Sequence, residues 1–199
     1  VLTGPSHAEE VSIEIPTVLV SASDDEYVRN YVQDLFMNKN MRVYTSDDMI
    51  GVEYGAALKN IIAFCAGIAV EIDLGDNTFA ALLTRGLTEI ARLGVKVGAK
   101  KDTFYGLTGL GDLIVTCNSE HSRNRKAGRL IGRGLSLEEV KKEVGMVIES
   151  IDNIEAAYEL KNKYNVEMPI VDEVYNVLYN NVDPKEAVYR LMQRDKKSE

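Results

Sequence analysis

Apolar residues change their spacing near residue 48. Ahead of that point, Thr17-Val18-Leu19-Val20-Ser21 and Arg42-Val43-Tyr44 are short runs rich in β-branched and aromatic residues, which read as strands. Between them, apolar positions at helical spacing from about Asp24 to Met37 predict a helix, and Asp24-Asp25-Glu26 places negative charge in its first turn. Val1-Leu2-Thr3-Gly4-Pro5 reads as a further strand running into a turn. Beyond residue 48, strand-like alternation gives way to helical periodicity, and nothing from Gly51 onward reads as a strand. The expected architecture is mainly α: a βαβ remainder over 1–48 followed by an all-helical domain over 49–199.

Two boundaries in the helical part have local chemistry behind them. Ser136 followed by Glu139 forms a capping box ahead of a helix through Val144, and Asp183-Pro184 supplies an N-cap and a first-turn proline ahead of Ala187-Val188-Leu191-Met192. The tail from Arg194 to Glu199 is polar and expected to fray. No internal repeat or low-complexity segment is present.

Composition narrows the class. With 199 residues, 45% of them apolar, the chain can bury one sizeable core and part of a second. The longest apolar run, Ile61 to Val70, is well short of the roughly 20 residues that cross a bilayer, so no membrane span is expected. Cys65 and Cys117 lack C-x-x-C spacing, which argues against a disulfide framework or thiolate metal site and for a reducing compartment. His7 and His121 lie in different segments without a ligand pattern, so no metal is expected. A net charge of −8 argues against nucleic acid as a partner.

Against that acidic background, GLGDLIVTCNSEHSRNRKAG at 109–128 stands out. Its Ser122-Arg123-Asn124-Arg125-Lys126 cluster combines a guanidinium fork with neutral donors at an expected helix start near Arg123. Cations are disfavoured at a helix's positive end, so a bound anion such as phosphate accounts for them better than a solvated basic face. Arg125 and Lys126 also read as surface charge. Lys59 shares a helix face with Gly55, Ile62, Ala63 and Ala66. A lysine on such a small-residue stripe is either snorkelling to water or desolvated, and desolvation would lower its pKa toward that of a general base. Asp112, preceded by Gly109 and Gly111, sits in an expected turn where aspartate commonly bonds local backbone. Thr116 is open between a ligand and the preceding turn. Arg85, inside an apolar stretch, is expected to be a buried structural ion pair with Glu71 or Glu89, and Tyr158, Tyr164, Tyr175, Tyr179 and Tyr189 read as helix packing.

Six blocks together resemble NAD(P)-dependent glycerol-3-phosphate dehydrogenase, in that family's order: LTGPSHAEEV at 2–11, GVEYGAALKN at 51–60, GDNTFAALLTRGLTEIARLG at 75–94, TGLGDLIVTC at 108–117, HSRNRKAG at 121–128 and VEMPIVDEVYNVLY at 166–179. The resemblance implies a helical domain like the C-terminal domain of 6-phosphogluconate dehydrogenase, preceded by the end of a Rossmann sheet. No glycine-rich dinucleotide turn opens the chain, so it reads as a C-terminal fragment, with little activity expected by itself. By the same resemblance Lys59 is the proton-accepting base and Asn60 its substrate-contacting neighbour. Asp112 contacts substrate and orients the lysine, and Thr116 is a further substrate residue. Ser122, Arg123 and Asn124 hold the phosphate. NAD or NADP contacts fall to Gly4, Ser6, Ala8, Arg123, Val147 and Glu149. The family commonly has glycine after that glutamate where this chain has Ser150.

The implied substrates are sn-glycerol 3-phosphate and dihydroxyacetone phosphate, serving glycerophospholipid synthesis in a cytoplasmic homodimer. Two alternatives compete. One is a related β-hydroxyacid dehydrogenase with a lysine base, and the other a helical module that binds a phosphorylated metabolite without redox chemistry.

Overall fold

The structure is a computed structural model and describes residues 1–196 and 198. The expectation that the tail frays therefore falls partly, at Lys197 and Glu199, outside the described residues. The N-terminal part is a three-stranded sheet of β1 (Leu2–Thr3), β2 (Thr17–Ala22) and β3 (Met41–Ser46), in that order across the sheet. β1 runs antiparallel to β2, with Leu2 opposite Ser21, and β2 runs parallel to β3 from Thr17 opposite Met41 to Ala22 opposite Ser46. Helix α1 (Ala8–Ser12) follows β1, and α2 (Glu26–Phe36) forms the parallel crossover. Asp25 caps α2 by accepting from Tyr27 and Val28, so the helix begins two residues later than its acidic signal implied. Tyr27, Tyr31 and Leu35 on α2 are exposed.

Asp48 marks the change of architecture. Buried at the N-cap of α3 (Met49–Glu71), its carboxylate accepts from Gly51 N at 2.9 Å and from Lys100 N at 2.9 Å. Seven further α-helices follow: α4 (Gly75–Lys96), α5 (Asp112–Asn118), α6 (Arg123–Gly132), α7 (Leu137–Val144), α8 (Glu149–Tyr164), α9 (Pro169–Tyr179) and α10 (Pro184–Met192). No strand occurs beyond β3 among the described residues. A 3₁₀ turn (Lys101–Tyr105) and a π turn (Leu107–Gly111) lead into α5.

α3 is the central helix. Ile61, Ile62, Ala63 and Phe64 are completely buried among α4, α5, α6 and α8, each large apolar side chain contributing about 1.5–3 kcal/mol. By length and hydropathy α3 passes as bilayer-crossing, since the run Ile61 to Val70 lies inside a helix of 23 residues; 56% of that apolar window is buried against the rest of the chain. A smaller cluster of Val20, Ala22 and Val52, with Leu107 against it, ties the sheet to the start of α3.

The Ser136–Glu139 capping box is reciprocal, and Asp183 caps α10 ahead of Pro184. Tyr158 stacks on Tyr175 at 3.8 Å, and Tyr175 meets Tyr179 at 4.7 Å, but Tyr189 is exposed, contrary to its expected packing role. Arg85 is exposed as well. Glu71 pairs instead with Arg129 at 3.0 Å and Arg133 at 2.7 Å, and Glu89 faces backbone rather than a guanidinium.

Candidate active site

Glycine positions the two halves of the central pair. A Cβ at Gly55, one turn before Lys59, would lie 2.9 Å from the Thr108 carbonyl oxygen, so glycine lets the π turn press against α3. That approach brings Asp112, the first residue of α5, into an ion pair with Lys59. The lysine side chain is 15% exposed and the aspartate side chain 4%. Lys59 therefore does not project from a bare apolar stripe; a buried carboxylate partners it. Asp112 lies in a helix, not in the expected turn, because the π turn continues directly into α5. Burial pushes the Asp112 carboxyl above the ordinary carboxylate range, opposed by Lys59, by the Thr116 hydroxyl and by His7. Thr116 donates to the Asp112 carbonyl oxygen at 2.6 Å and lies 3.2 Å from its Oδ1, so its proton is directed to the preceding turn and the pair rather than to open space.

The anion-receptive cluster comes alongside through a close helix crossing. A Cβ at Gly128 would collide with the Phe64 carbonyl, and one at Gly67 with that of Arg125, so α6 lies backbone to backbone on α3. Ser122 caps α6 by accepting from Arg125 N at 3.2 Å, which leaves its hydroxyl proton available to an anion. The Arg123 side chain is 41% exposed and among the described residues pairs with Glu149 alone, at 3.9 Å, so its fork remains available. Asn124 is buried, and its Oδ1 accepts from Ser150 N at 2.9 Å. The asparagine oxygen thus caps α8 and only its amide N–H groups are left for a ligand, a division of labour invisible in the sequence. Arg125 is not surface charge: its side chain is 12% exposed and pairs with Glu120. Lys126 is exposed.

Asn60 donates to Glu149 Oε2 at 2.9 Å, so Glu149 links α3 to α6 at the start of α8. Ser150 is fully buried at the second position of that helix, which runs on to Tyr164. Val147 stands 68% exposed just ahead of it. A cleft lined by Val1, Thr3, Glu53, Ala56, Asn60 and Glu149 sets β1 against this edge. Gly4 is buried after β1 with φ 146, where a side chain would be strained, and Ser6 donates to the Gly4 carbonyl at 3.0 Å. Ala8 opens α1 and is exposed.

The two histidines, unrelated in the sequence, meet in the structure. Although 114 positions separate them in number, the rings of His7 and His121 lie 6.0 Å apart between centroids. The Cys117 thiol, within electrostatic range of Lys59 and Arg125, is pushed up to about 12 by burial, which keeps it protonated and unreactive. Among the described residues, no group of three or more His, Cys, Asp and Glu side chains is arranged to hold a metal. A separate cavity of about 260 Å³ between α3, α4, α9 and α10, lined by Cys65, Leu82, Val174 and Leu191 among others, shares no lining residue with this site.

A helical core joined to a small three-stranded sheet, with a buried lysine–carboxylate pair on the helix whose Asn60 reaches a donor-rich helix start through Glu149, provides an acid–base pair and an anion-receptive end within one fold. Residues 48–189 match the family described as NAD-dependent glycerol-3-phosphate dehydrogenase C-terminus, and the chain belongs to that family. It is 60% identical over all 199 residues to glycerol-3-phosphate dehydrogenase [NAD(P)+] of Clostridium perfringens, covering 60% of that protein. The Clostridium tetani enzyme of the same name is 58% identical, with 57% of it covered. The crystal structure of glycerol-3-phosphate dehydrogenase from Coxiella burnetii superimposes with a TM-score of 0.94 at 40% identity, over 97% of this chain and 59% of that one. The Saccharomyces cerevisiae enzyme gives 0.85 at 26% identity, with 97% and 59% covered. The chain thus spans about 60% of the length of the curated relatives it matches.

Proposed function

We propose that this chain is the C-terminal part of an oxidoreductase that interconverts sn-glycerol 3-phosphate and dihydroxyacetone phosphate. The observation that carries the proposal is the buried Lys59–Asp112 pair, whose neighbour Asn60 is joined through Glu149 to Arg123 at the N-terminus of α6. In the oxidising direction Lys59, as free amine, takes the proton of the C2 hydroxyl; in the reducing direction its ammonium returns one to the developing alkoxide. Asp112 holds the lysine in place, with Thr116 steadying the carboxylate. Ser122, Arg123 and the first N–H groups of α6 receive the phosphate, Asn124 adding its amide and Asn60 contacting the carbon chain.

The residues present also fit a dinucleotide: the buried Gly4 turn permits close approach, and the half-exposed Arg123 and exposed Val147 and Glu149 frame the opposite side. Gly4, Ser6, Ala8, Arg123, Val147 and Glu149 would hold NAD or NADP, which when bound accepts or supplies the hydride at C2. In this proposal residues 1–48 belong to the dinucleotide-binding domain and 49–199 form the substrate domain. The exposed apolar side chains of α2 support a further domain surface against them. A cytoplasmic homodimer serving phospholipid synthesis rests on the sequence resemblance alone.

The test is NADH- and NADPH-dependent reduction of dihydroxyacetone phosphate by the chain in its full-length form. Lys59→Ala is expected to lower kcat by about 10²–10⁴-fold, and Arg123→Ala to act mainly on KM. Failure of the wild type to reduce this ketone, alongside turnover of a β-hydroxyacid, would overturn the assignment.

A further inference from the structure

His7 has no part in the roles assigned so far, yet three observations draw it into the site. Its Nε2 is buried and has no hydrogen-bond partner among the described residues. Its ring faces His121, which directly precedes the phosphate cluster, at 6.0 Å between centroids. It lies within electrostatic range of the Asp112 carboxyl, the partner of Lys59. A buried polar nitrogen left unpaired costs free energy, and such groups in functional sites are commonly completed by the ligand.

The proposed substrates carry three polar groups. The phosphate goes to the start of α6 and the C2 oxygen to Lys59, and with the Asn60 amide engaged by Glu149 the C1 hydroxyl is the polar group to which no residue has been assigned. We propose that His7 is a specificity-determining residue whose Nε2 hydrogen-bonds the C1 hydroxyl of the three-carbon phosphate substrate. This rests on the reading above. A hydroxyl both donates and accepts, so it pairs with Nε2 in either neutral tautomer of the imidazole. A site built around that bond rejects a substrate lacking the hydroxyl, because the nitrogen then stays buried and unpaired.

The experiment crosses a residue change with the removal of one substrate group. Hydroxyacetone phosphate carries a methyl group where dihydroxyacetone phosphate carries the hydroxymethyl. Full-length wild type is expected to prefer dihydroxyacetone phosphate in kcat/KM by about ten- to a hundredfold or more. In His7→Phe that ratio is expected to collapse toward unity, through slower turnover of dihydroxyacetone phosphate and little change with the methyl ketone. His7→Ala removes the ring without adding bulk and gives the same readout should the phenylalanine variant not fold. Calorimetric binding of sn-glycerol 3-phosphate and its 1-deoxy analogue should show the same loss of discrimination without turnover. A ratio that stays unchanged, or equal losses on both substrates, overturns the role of His7 while leaving the dehydrogenase reading intact. No turnover of dihydroxyacetone phosphate by wild type overturns both.

Discussion

The Glu89 carboxylate on α4 accepts the backbone N–H of Ile170 at 2.9 and 3.1 Å, and so caps a helix 81 residues downstream. Met168 at the N-cap of α9 makes no side-chain cap of its own, and Val171 N also reaches Glu89, at 3.4 Å. One buried acid thereby replaces the local serine or aspartate a helix start normally uses.

Burial pushes the Glu89 carboxyl up to about 7, against the pull of the two backbone bonds. With the folded value above the ordinary 4.5, the stability contributed is fully present below about pH 4.5 and lost as pH rises through about 7. The stability of wild type relative to Glu89→Gln is expected to fall between about pH 5 and 8, by about 3 kcal/mol at most. Urea unfolding of both proteins across that range checks it; a flat difference would show that ionising Glu89 carries no penalty.

Asp112→Leu leaves the Lys59 ammonium largely buried without its partner, at a cost of about 3–5 kcal/mol. Removing both charges in Lys59→Met/Asp112→Leu is expected to restore much of that stability while leaving no activity. Thermal unfolding of the two single variants and the double variant checks the coupling, and simple additivity would argue against the pair.

Gly128→Ala places a methyl group against the Phe64 carbonyl and forces α6 off α3. Destabilisation of about 1–3 kcal/mol is expected, with a rise in KM for dihydroxyacetone phosphate because Ser122 and Arg123 move with the helix. A variant with unchanged unfolding midpoint and unchanged KM would show that the crossing has room to spare.

Asn124→Ala removes the acceptor for Ser150 N, so stability is expected to fall by about 1 kcal/mol even without ligand. Asn124→Asp keeps the acceptor and removes the amide donors. It should retain most stability yet weaken phosphate binding, which unfolding curves and substrate calorimetry separate.

The sequence by itself determined what acts over one or two helical turns. The capping box at Ser136, the Asp183-Pro184 start and the helix start after Ser122 all come from chemistry within about four residues, where backbone partners are guaranteed by connectivity. Lys59 and Asp112 stood out as separate candidates, joined only by the family resemblance. Tertiary structure decided which distant groups meet: Lys59 with Asp112, Asn124 with Ser150, Glu89 with Ile170, His7 with His121. Those pairings depend on how closely α3, α5 and α6 approach and at what rotation, which glycine contacts such as Gly55–Thr108 and Gly128–Phe64 set. Periodicity shows that a helix has a buried face; the partner on that face is chosen by packing across the whole core.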